Sequence, residues 1–278
     1  MKIAVTGANG YIGSHVVKAL LEKGAACLAL DFDNTYVDPR AQFMAINVLD
    51  NDPDIYAKLG KPDVFLHLAW KDGFVHNSPA HMEMLSGHVR LIRYLLEGGL
   101  KHLAVMGTMH EIGYHEGAID ENTPCAPTSA YAIAKNALRE SSCLLAAQHG
   151  ACWQWLRAFY ITGDDAKAQS VFGKLLRAAQ EGKTTFPFTT GKNKYDFISV
   201  QELACQIAVC VTQTAVNGII NCCTGKPLSL AERMEQFIQE NHLHIQLQYG
   251  VYPDRPYDSP GVWGDNTKIQ IVLKSKKP

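Results

Sequence analysis

A doubly wound α/β fold, with a parallel sheet covered by helices on both faces and a smaller α/β portion at its C-terminal end, is predicted by three features of the 278-residue sequence. Short apolar runs alternate with amphipathic stretches through the first half, the first run feeds a glycine-rich turn, and the rhythm breaks after about Ile161. Strand-length runs lie at Lys2–Thr6, Ala26–Asp31, Met44–Val48, Val64–Leu68, Leu103–Met106 and Trp155–Ala158. Helices are expected over Tyr11–Lys23, Asp54–Leu59, Pro79–Glu97 and Tyr131–Gln148. The last of these carries Ala and Leu on one face and Lys135, Arg139 and Glu140 on the other. Beyond Ile161, "SVFGKLLRAAQ" reads as a helix, "KNKYDFISVQELACQIAVCV" as a strand and a helix, and "GIINCCTG" as a buried strand. "SLAERMEQFIQENH" reads as an amphipathic helix, with Ser229 and Glu232 spaced as a capping box. "YPDRPYDSPGVWGD" is expected to be mostly irregular. The expected division is 1–161 plus about 194–223 in the larger, sheet-based domain, with 162–193 and 224–278 in a small second domain.

Composition narrows the function classes. Hydrophobic residues make up 47% and charged residues 19%, enough for a sizeable core. A net charge of -1 lacks the basic excess of a nucleic-acid footprint; Lys274, Lys276 and Lys277 read as a solvated tail. No apolar run reaches the roughly 20 residues of a membrane span. "MKIAVTG" enters a strand with no signal-peptide pattern, so a cytoplasmic protein is expected. Eight cysteines include no C-x-x-C; Cys27, Cys205, Cys210, Cys222 and Cys223 sit in apolar stretches and read as small buried hydrophobes. The eleven histidines show no zinc-type spacing, and no metal is expected.

Two stretches point to chemistry. "TGANGYIGSHV" sets Gly7, Gly10 and Gly13, with Tyr11 and Ile12 between them, at the junction of the first strand and first helix. Glycines there let the backbone approach a pyrophosphate at the helix N-terminus. Asp31 ends the second strand, where an acid accepts hydrogen bonds from ribose hydroxyls and repels a 2′-phosphate. NAD(H) is thus favoured, with NADP(H) the alternative if Arg40 meets that phosphate; a turn-forming Asp31 is the bland reading. In "SAYAIAK", Tyr131 and Lys135 lie four residues apart and share a helix face. An ammonium beside a phenol with an ordinary pKa of about 10 favours the phenolate and brings it into acid/base range.

With "HLA" at His67–Ala69 and Thr108 five residues before Gly113, these motifs resemble the NAD-dependent epimerase/dehydratase family of the extended short-chain dehydrogenase/reductase superfamily. "RAFYITG" at Arg157–Gly163 and "KYDFISVQELA" at Lys194–Ala204 extend the resemblance over nearly the whole chain. It implies a Rossmann domain with a small C-terminal domain that takes a nucleotide-diphosphate sugar, and a homodimer through Pro79–Glu97 and Tyr131–Gln148. By the same resemblance, Gly7, Gly10 and Gly13 hold the pyrophosphate, Asp31 the ribose, and Leu68 and Ala69 line the cofactor channel. Lys135 binds the nicotinamide ribose, Tyr131 is the acid/base, and Thr108 bonds the reacting sugar oxygen. Arg255 is the candidate for the substrate diphosphate. Tyr160 stands where the family has a substrate-contacting Asn, and Tyr195 replaces the Arg before Asp196, with Lys192 or Lys194 a substitute for the lost charge.

Within the family, 4,6-dehydratases carry Asp–Glu after the catalytic Thr; here those positions are Met109 and His110, and methionine does no acid/base chemistry. The expectation is a 4-ketoreductase of a nucleotide-linked 4-keto-6-deoxyhexose, with an NAD-dependent 4-epimerase as the alternative. His110 sits where GDP-fucose-synthase-like epimerase-reductases carry a cysteine acid/base; an imidazole that only shapes the pocket or caps the turn is the plainer reading. A non-catalytic dinucleotide sensor is the reading from another class, but such proteins usually lose the Tyr or Lys retained here. Glu111 has no role at this level.

Overall fold

The computed structural model describes residues 1–163, 170–254 and 259–275. Its first half runs β1 (Lys2–Thr6), α1 (Tyr11–Glu22), β2 (Ala26–Asp31), β3 (Gln42–Ala45), α2 (Ile55–Lys58), β4 (Val64–His67), α3 (Ala80–Glu97), β5 (His102–Thr108), β6 (Gly117–Ile119) and α4 (Ala130–Gln148). Next come β7 (Cys152–Ala158), β8 (Tyr160–Thr162), α5 (Val171–Gln180), β9 (Thr185–Pro187), β10 (Lys194–Ser199), α6 (Val200–Val211) and β11 (Gly218–Cys222). The chain closes with β12 (Pro227–Ser229), α7 (Leu230–Glu240), β13 (Gln246–Gln248), β14 (Gly261–Gly264) and α8 (Thr267–Lys274).

Seven strands form one sheet in the order β11-β7-β5-β4-β1-β2-β3, and every pairing in it is parallel. Such strands are buried on both faces, which explains the unbroken apolar runs of β1, β4 and β5. One face packs on α1 and α6 through Val16, Leu20, Leu203 and Ile207. The other packs on α3 and α4 through Leu91, Leu95 and Leu138. A second sheet, β12-β10-β14-β6 with β8 beside β10, lies with α5 and α7 around a third core of Phe172, Phe197, Met234 and Phe237. This is the Rossmann-type arrangement with an added small layer, as the alternation predicts. No helix among the described residues is long and apolar enough to cross a membrane.

Several local expectations shift. The third strand lies at Gln42–Ala45 rather than Met44–Val48, because its ladder with β2 ends at Asp31↔Ala45; Val48 is buried by packing alone. "GVWG", inside the stretch read as irregular, is strand β14, held between β10 and β6. The tail forms α8, whose Ile269 and Val272 pack into the α1–α6 side of the large sheet. Cys27, Cys210, Cys222 and Cys223 are buried thiols, but Cys205 is exposed: it falls on the outer face of α6.

One buried carboxylate fixes the small sheet to the large one. Asp196 on β10 is fully buried and accepts from Thr224 N (2.9 Å), Thr224 Oγ1 (2.6 Å), Gly225 N (2.8 Å) and Gly264 N (3.2 Å). It thereby anchors the loop after β11 and the end of β14. Asp196→Ala leaves these donors unpaired out of water and is expected to cost about 3 kcal/mol or more, read as a lower urea midpoint at unchanged slope.

Candidate active site

Strands β1 and β4 are neighbours, yet the chain proceeds from β1 toward β2 and from β4 toward β5 on the opposite side. Connections therefore diverge above their carboxyl ends and leave a crevice there. The Gly7–Gly13 turn lines it. Gly7 has φ +67°, and a Cβ on it would stand 2.9 Å from the Ala69 backbone; a Cβ on Gly13 would overlap the Gly7 carbonyl. The glycines thus bring backbone to backbone, and Gly10, the N-cap of α1, adds no side-chain cap of its own. That cradle fits the pyrophosphate of a dinucleotide. Tyr11 and Ile12 open α1, with Ile12 packed toward the core. Leu68 and Ala69 sit opposite, their amides both donating to Thr6 Oγ1 at 3.1 Å.

Asp31 closes the crevice at the end of β2. Its carboxylate accepts from Asn9 N (2.9 Å) and Phe32 N (2.8 Å), which aims it along the glycine turn. Arg40, the residue that would receive a 2′-phosphate, is bound through Nε (2.9 Å) and Nη2 (2.6 Å) to Asp38. Asp33 adds a further acid, accepting from Asn9 Nδ2. Adenosine bearing free ribose hydroxyls suits this rim better than a 2′-phosphate.

The catalytic candidates converge at the end of β5. Thr108 is buried, and its Oγ1 accepts from His110 N at 3.3 Å, starting a short 3₁₀ turn, Met109–Ile112. Tyr131 lies in the first turn of α4, whose amides are satisfied from three sources. Ser129 Oγ accepts from Ala132 N (3.3 Å), Asn77 Oδ1 from Ala130 N (3.2 Å) and the His76 carbonyl from Tyr131 N (2.8 Å). The Tyr131 hydroxyl is hydrogen-bonded to Thr108, yet its enclosure pushes it up to about 12. Lys135, one turn on, is sealed from water and donates to the Met106 carbonyl at 2.9 Å. Burial pulls its ammonium down to about 7, against the opposing field of Glu111. Burial takes His110 to about 4, leaving a neutral imidazole at pH 7.

Glu111 also has a defined place. It is fully buried and accepts from Arg157 Nε at 2.7 Å and Trp155 Nε1 at 3.0 Å, a buried ion pair in which Arg157 Nη2 has no hydrogen-bond partner among the described residues. Thr108, His110, Tyr131 and Tyr160 gather in one cluster: the His110 ring meets Tyr131 and Tyr160 edge-on at 6.3 and 6.4 Å. Tyr160 and Tyr195, the two replaced positions, pack against each other with ring centroids 4.2 Å apart and planes tilted by 39°. Lys192 is exposed in the turn before β10, and no hydrogen bond or ion pair links it to this cluster among the described residues. Arg255 lies outside the described residues; its neighbour Asp254 binds Thr190 in that same turn.

Sequence reasoning passed over the ring of aromatic and histidine side chains around Tyr131. His76 stacks on the Tyr131 ring at 5.5 Å, and Trp70 and His81 meet it edge-on at 6.1 and 5.3 Å. His88, buried, receives a hydrogen bond from His67 at 2.8 Å. The signal was present in the spacing, since His81 and His88 are seven residues apart and share one face of α3.

These histidines carry a pH consequence. Burial holds His67 well below its ordinary value and His88 down to about 3. In the unfolded chain both take up protons near pH 6.5, so the stability present above that pH is lost as pH falls toward 3. The wild type is expected to lose stability between pH 7 and 5. In His88→Asn, which keeps an acceptor for His67, that loss is expected to shrink by about 2 kcal/mol, as measured by urea unfolding at both pH values.

A model of the NAD dependent epimerase/dehydratase family matches residues 3–223. A dTDP-6-deoxy-L-talose 4-dehydrogenase (NAD(+)) of Aggregatibacter actinomycetemcomitans is 41% identical over 271 residues, spanning 95% of this chain and 99% of that one. Among solved structures, the fold is similar to the UDP-N-acetylglucosamine 4-epimerase of Methanobrevibacter ruminantium, with TM-score 0.85 and 21% identity over 100% of this chain and 92% of that one. It is also similar to the Thermus thermophilus UDP-glucose 4-epimerase, solved with NAD, with TM-score 0.83 and 22% identity over 100% and 94%. At those identities the structures speak for the fold, while the family match and the 41% relative speak for descent. The chain belongs to the NAD-dependent epimerase/dehydratase family and is an enzyme of the extended short-chain dehydrogenase/reductase class.

Proposed function

We propose that this enzyme reduces the 4-keto group of a dTDP-linked 4-keto-6-deoxyhexose, the reverse of the oxidation named for its 41% identical relative. The observation that carries this reading is the placement of Tyr131, in the first turn of α4, against the Thr108 hydroxyl at the end of β5, with buried Lys135 one turn on. The turn at Gly7, Gly10 and Gly13 would hold the dinucleotide pyrophosphate, Asp31 its adenosine ribose, Leu68 and Ala69 the channel, and Lys135 the nicotinamide ribose. Bound NAD(H) supplies the hydride. Thr108 and Tyr131 would both bond the sugar O4. A phenol pushed up to about 12 keeps its proton until O4 gains negative charge, which suits a donor in the reductive direction. Lys135 beside it then stabilises the phenolate left behind.

Other members of the family fit less well. Elimination of water needs an acid and a base after the Thr, and here Met109 is packed into the third core. His110, neutral and weakly basic, lines the sugar side instead of epimerising the carbons beside the ketone. The same proposal includes a homodimer through α3 and α4, which expose Met82, Ile133 and Leu144. Light scattering is expected to give twice the 30.6 kDa chain mass, and a monomer at working concentration removes this part.

Incubation with dTDP-4-keto-6-deoxyhexoses and NADH or NADPH is expected to oxidise NADH preferentially, followed at the nicotinamide absorbance. Tyr131→Phe is expected to lower kcat by about 10²- to 10⁴-fold with dinucleotide binding retained. Inversion at C4 of a nucleotide hexose without net NADH oxidation would replace the reductase with an epimerase.

A further inference from the structure

Trp70, the residue after His67–Ala69, is half-buried and held by side chains of α3 and α4. Its indole stacks on His88 with centroids 4.6 Å apart and planes 16° from parallel. Its Nε1–H donates to His81 Nδ1 at 3.0 Å, and because indole only donates, His81 carries its own proton on Nε2 and gives it to the Val75 carbonyl at 2.9 Å. His88 is held in turn. Thr6 Oγ1 already accepts the Leu68 and Ala69 amides, so its proton goes to His67 Nδ1 at 2.8 Å, and His67 Nε2–H donates to His88 Nδ1 at 2.8 Å. A continuous hydrogen-bonded and stacked chain therefore runs from the core of β1 to the indole.

That indole touches both members of the Tyr–Lys pair. Lys135 Nζ stands 4.0 Å from the ring centroid, and the Tyr131 ring meets the indole edge-on at 6.1 Å. Lys135 is 3% exposed and has no ion pair among the described residues; its hydrogen bond goes to the Met106 carbonyl. The groups around it are that carbonyl on β5, the neutral His67 on β4 and His88 on α3, Tyr131 on α4, and Glu111, which already pairs with Arg157. An ammonium so buried ordinarily needs a carboxylate partner. The negative face of the indole is what the fold offers instead.

We propose that Trp70 is a positioning residue that keeps Lys135 protonated and aimed at the Tyr131 hydroxyl, its π face standing in for an acidic partner. The proposal rests on Tyr131 and Lys135 being the working pair, as argued above, but its first readout does not involve turnover. Lys135 is followed by NMR in cofactor-free protein labelled with ¹³Cε-lysine, its signal assigned with Lys135→Arg. Trp70→Leu is expected to lower the Lys135 midpoint by about one pH unit, a tenfold loss of proton affinity, and Trp70→Phe to restore most of it. The neutral-pH limb of the turnover profile is expected to move with the midpoint, in Leu but not in Phe.

Where Trp70→Leu does not fold, biosynthetic replacement by mono- and difluorotryptophan weakens the ring quadrupole with little change of shape. The Lys135 midpoint then falls stepwise with fluorination. An unchanged midpoint in Trp70→Leu, or a flat response across the fluorinated series, overturns the proposal. A shifted midpoint in a protein that turns over no keto-sugar leaves the proposal standing and removes the ketoreductase reading.

Discussion

Three residues on from Thr108, Glu111 forms with Arg157 an ion pair whose two side chains are fully out of water, and the surrounding architecture meets every one of their polar atoms except Arg157 Nη2. Trp155 on β7 donates to both Glu111 oxygens. Arg157 Nη1 reaches the Asp120 carbonyl (2.9 Å) and Asn221 Oδ1 on β11 (3.2 Å), and Asn221 passes the connection to the carbonyls of Ile119 (2.7 Å) and Asp265 (3.1 Å). One pair of charges thus joins the turn after Thr108, two strands of the large sheet and the ends of β6 and β14 in the small one. Breaking such a pair from one side leaves an uncompensated buried charge, about 3–5 kcal/mol. Met109 and Ile112 flank Glu111 in the same turn and enter the third core, so Thr108 is held from both layers.

The same enclosure sets the proton chemistry. Loss of water disfavours whichever form is charged, so it drives the Tyr131 phenol up to about 12 and the Lys135 ammonium down to about 7. Left to burial alone, both groups would be neutral at working pH and the lysine would contribute little to a phenolate. Glu111 opposes that outcome for the lysine and reinforces it for the tyrosine, since its negative field favours the protonated form of each. Glu111 therefore fastens the floor of the site and adds a distant field that, together with the Trp70 face against Lys135, favours the protonated form of both groups.

Features of the site were legible in the sequence to the extent that they depend on backbone. Gly7 and Gly13 had to be glycine because other backbone stands at their Cβ positions, and Tyr131 and Lys135 stand one helical turn apart wherever that helix lies. The sheet was legible because parallel strands buried on both faces leave continuous apolar runs. What escaped was set by distant partners. Glu111 looked idle because Arg157 lies 46 residues away on β7, and Trp70 drew no reading because its contacts depend on α3 and α4 packing beside β4. Strand β14 was missed for a similar reason: "GVWG" has little strand propensity of its own, and neighbours on either side hold it extended.

The two positions where the chain leaves its family's pattern turn out to be one change. Tyr160 on β8 and Tyr195 on β10 lie on paired strands, where Phe197 is the direct partner of Tyr160 and Tyr195 its diagonal neighbour. Their rings pack at a tilt with centroids 4.2 Å apart, and Phe197 joins them at 5.9 and 6.0 Å. Aromatic pairs across strands reinforce one another, so replacing either tyrosine by the polar residue the pattern expects would take one ring out of this three-ring cluster. The wall they form with His110 and His76 is aromatic, and burial keeps both imidazoles neutral at pH 7. A wall of that kind offers ring faces and single hydrogen bonds where the family pattern would have placed an amide and a guanidinium.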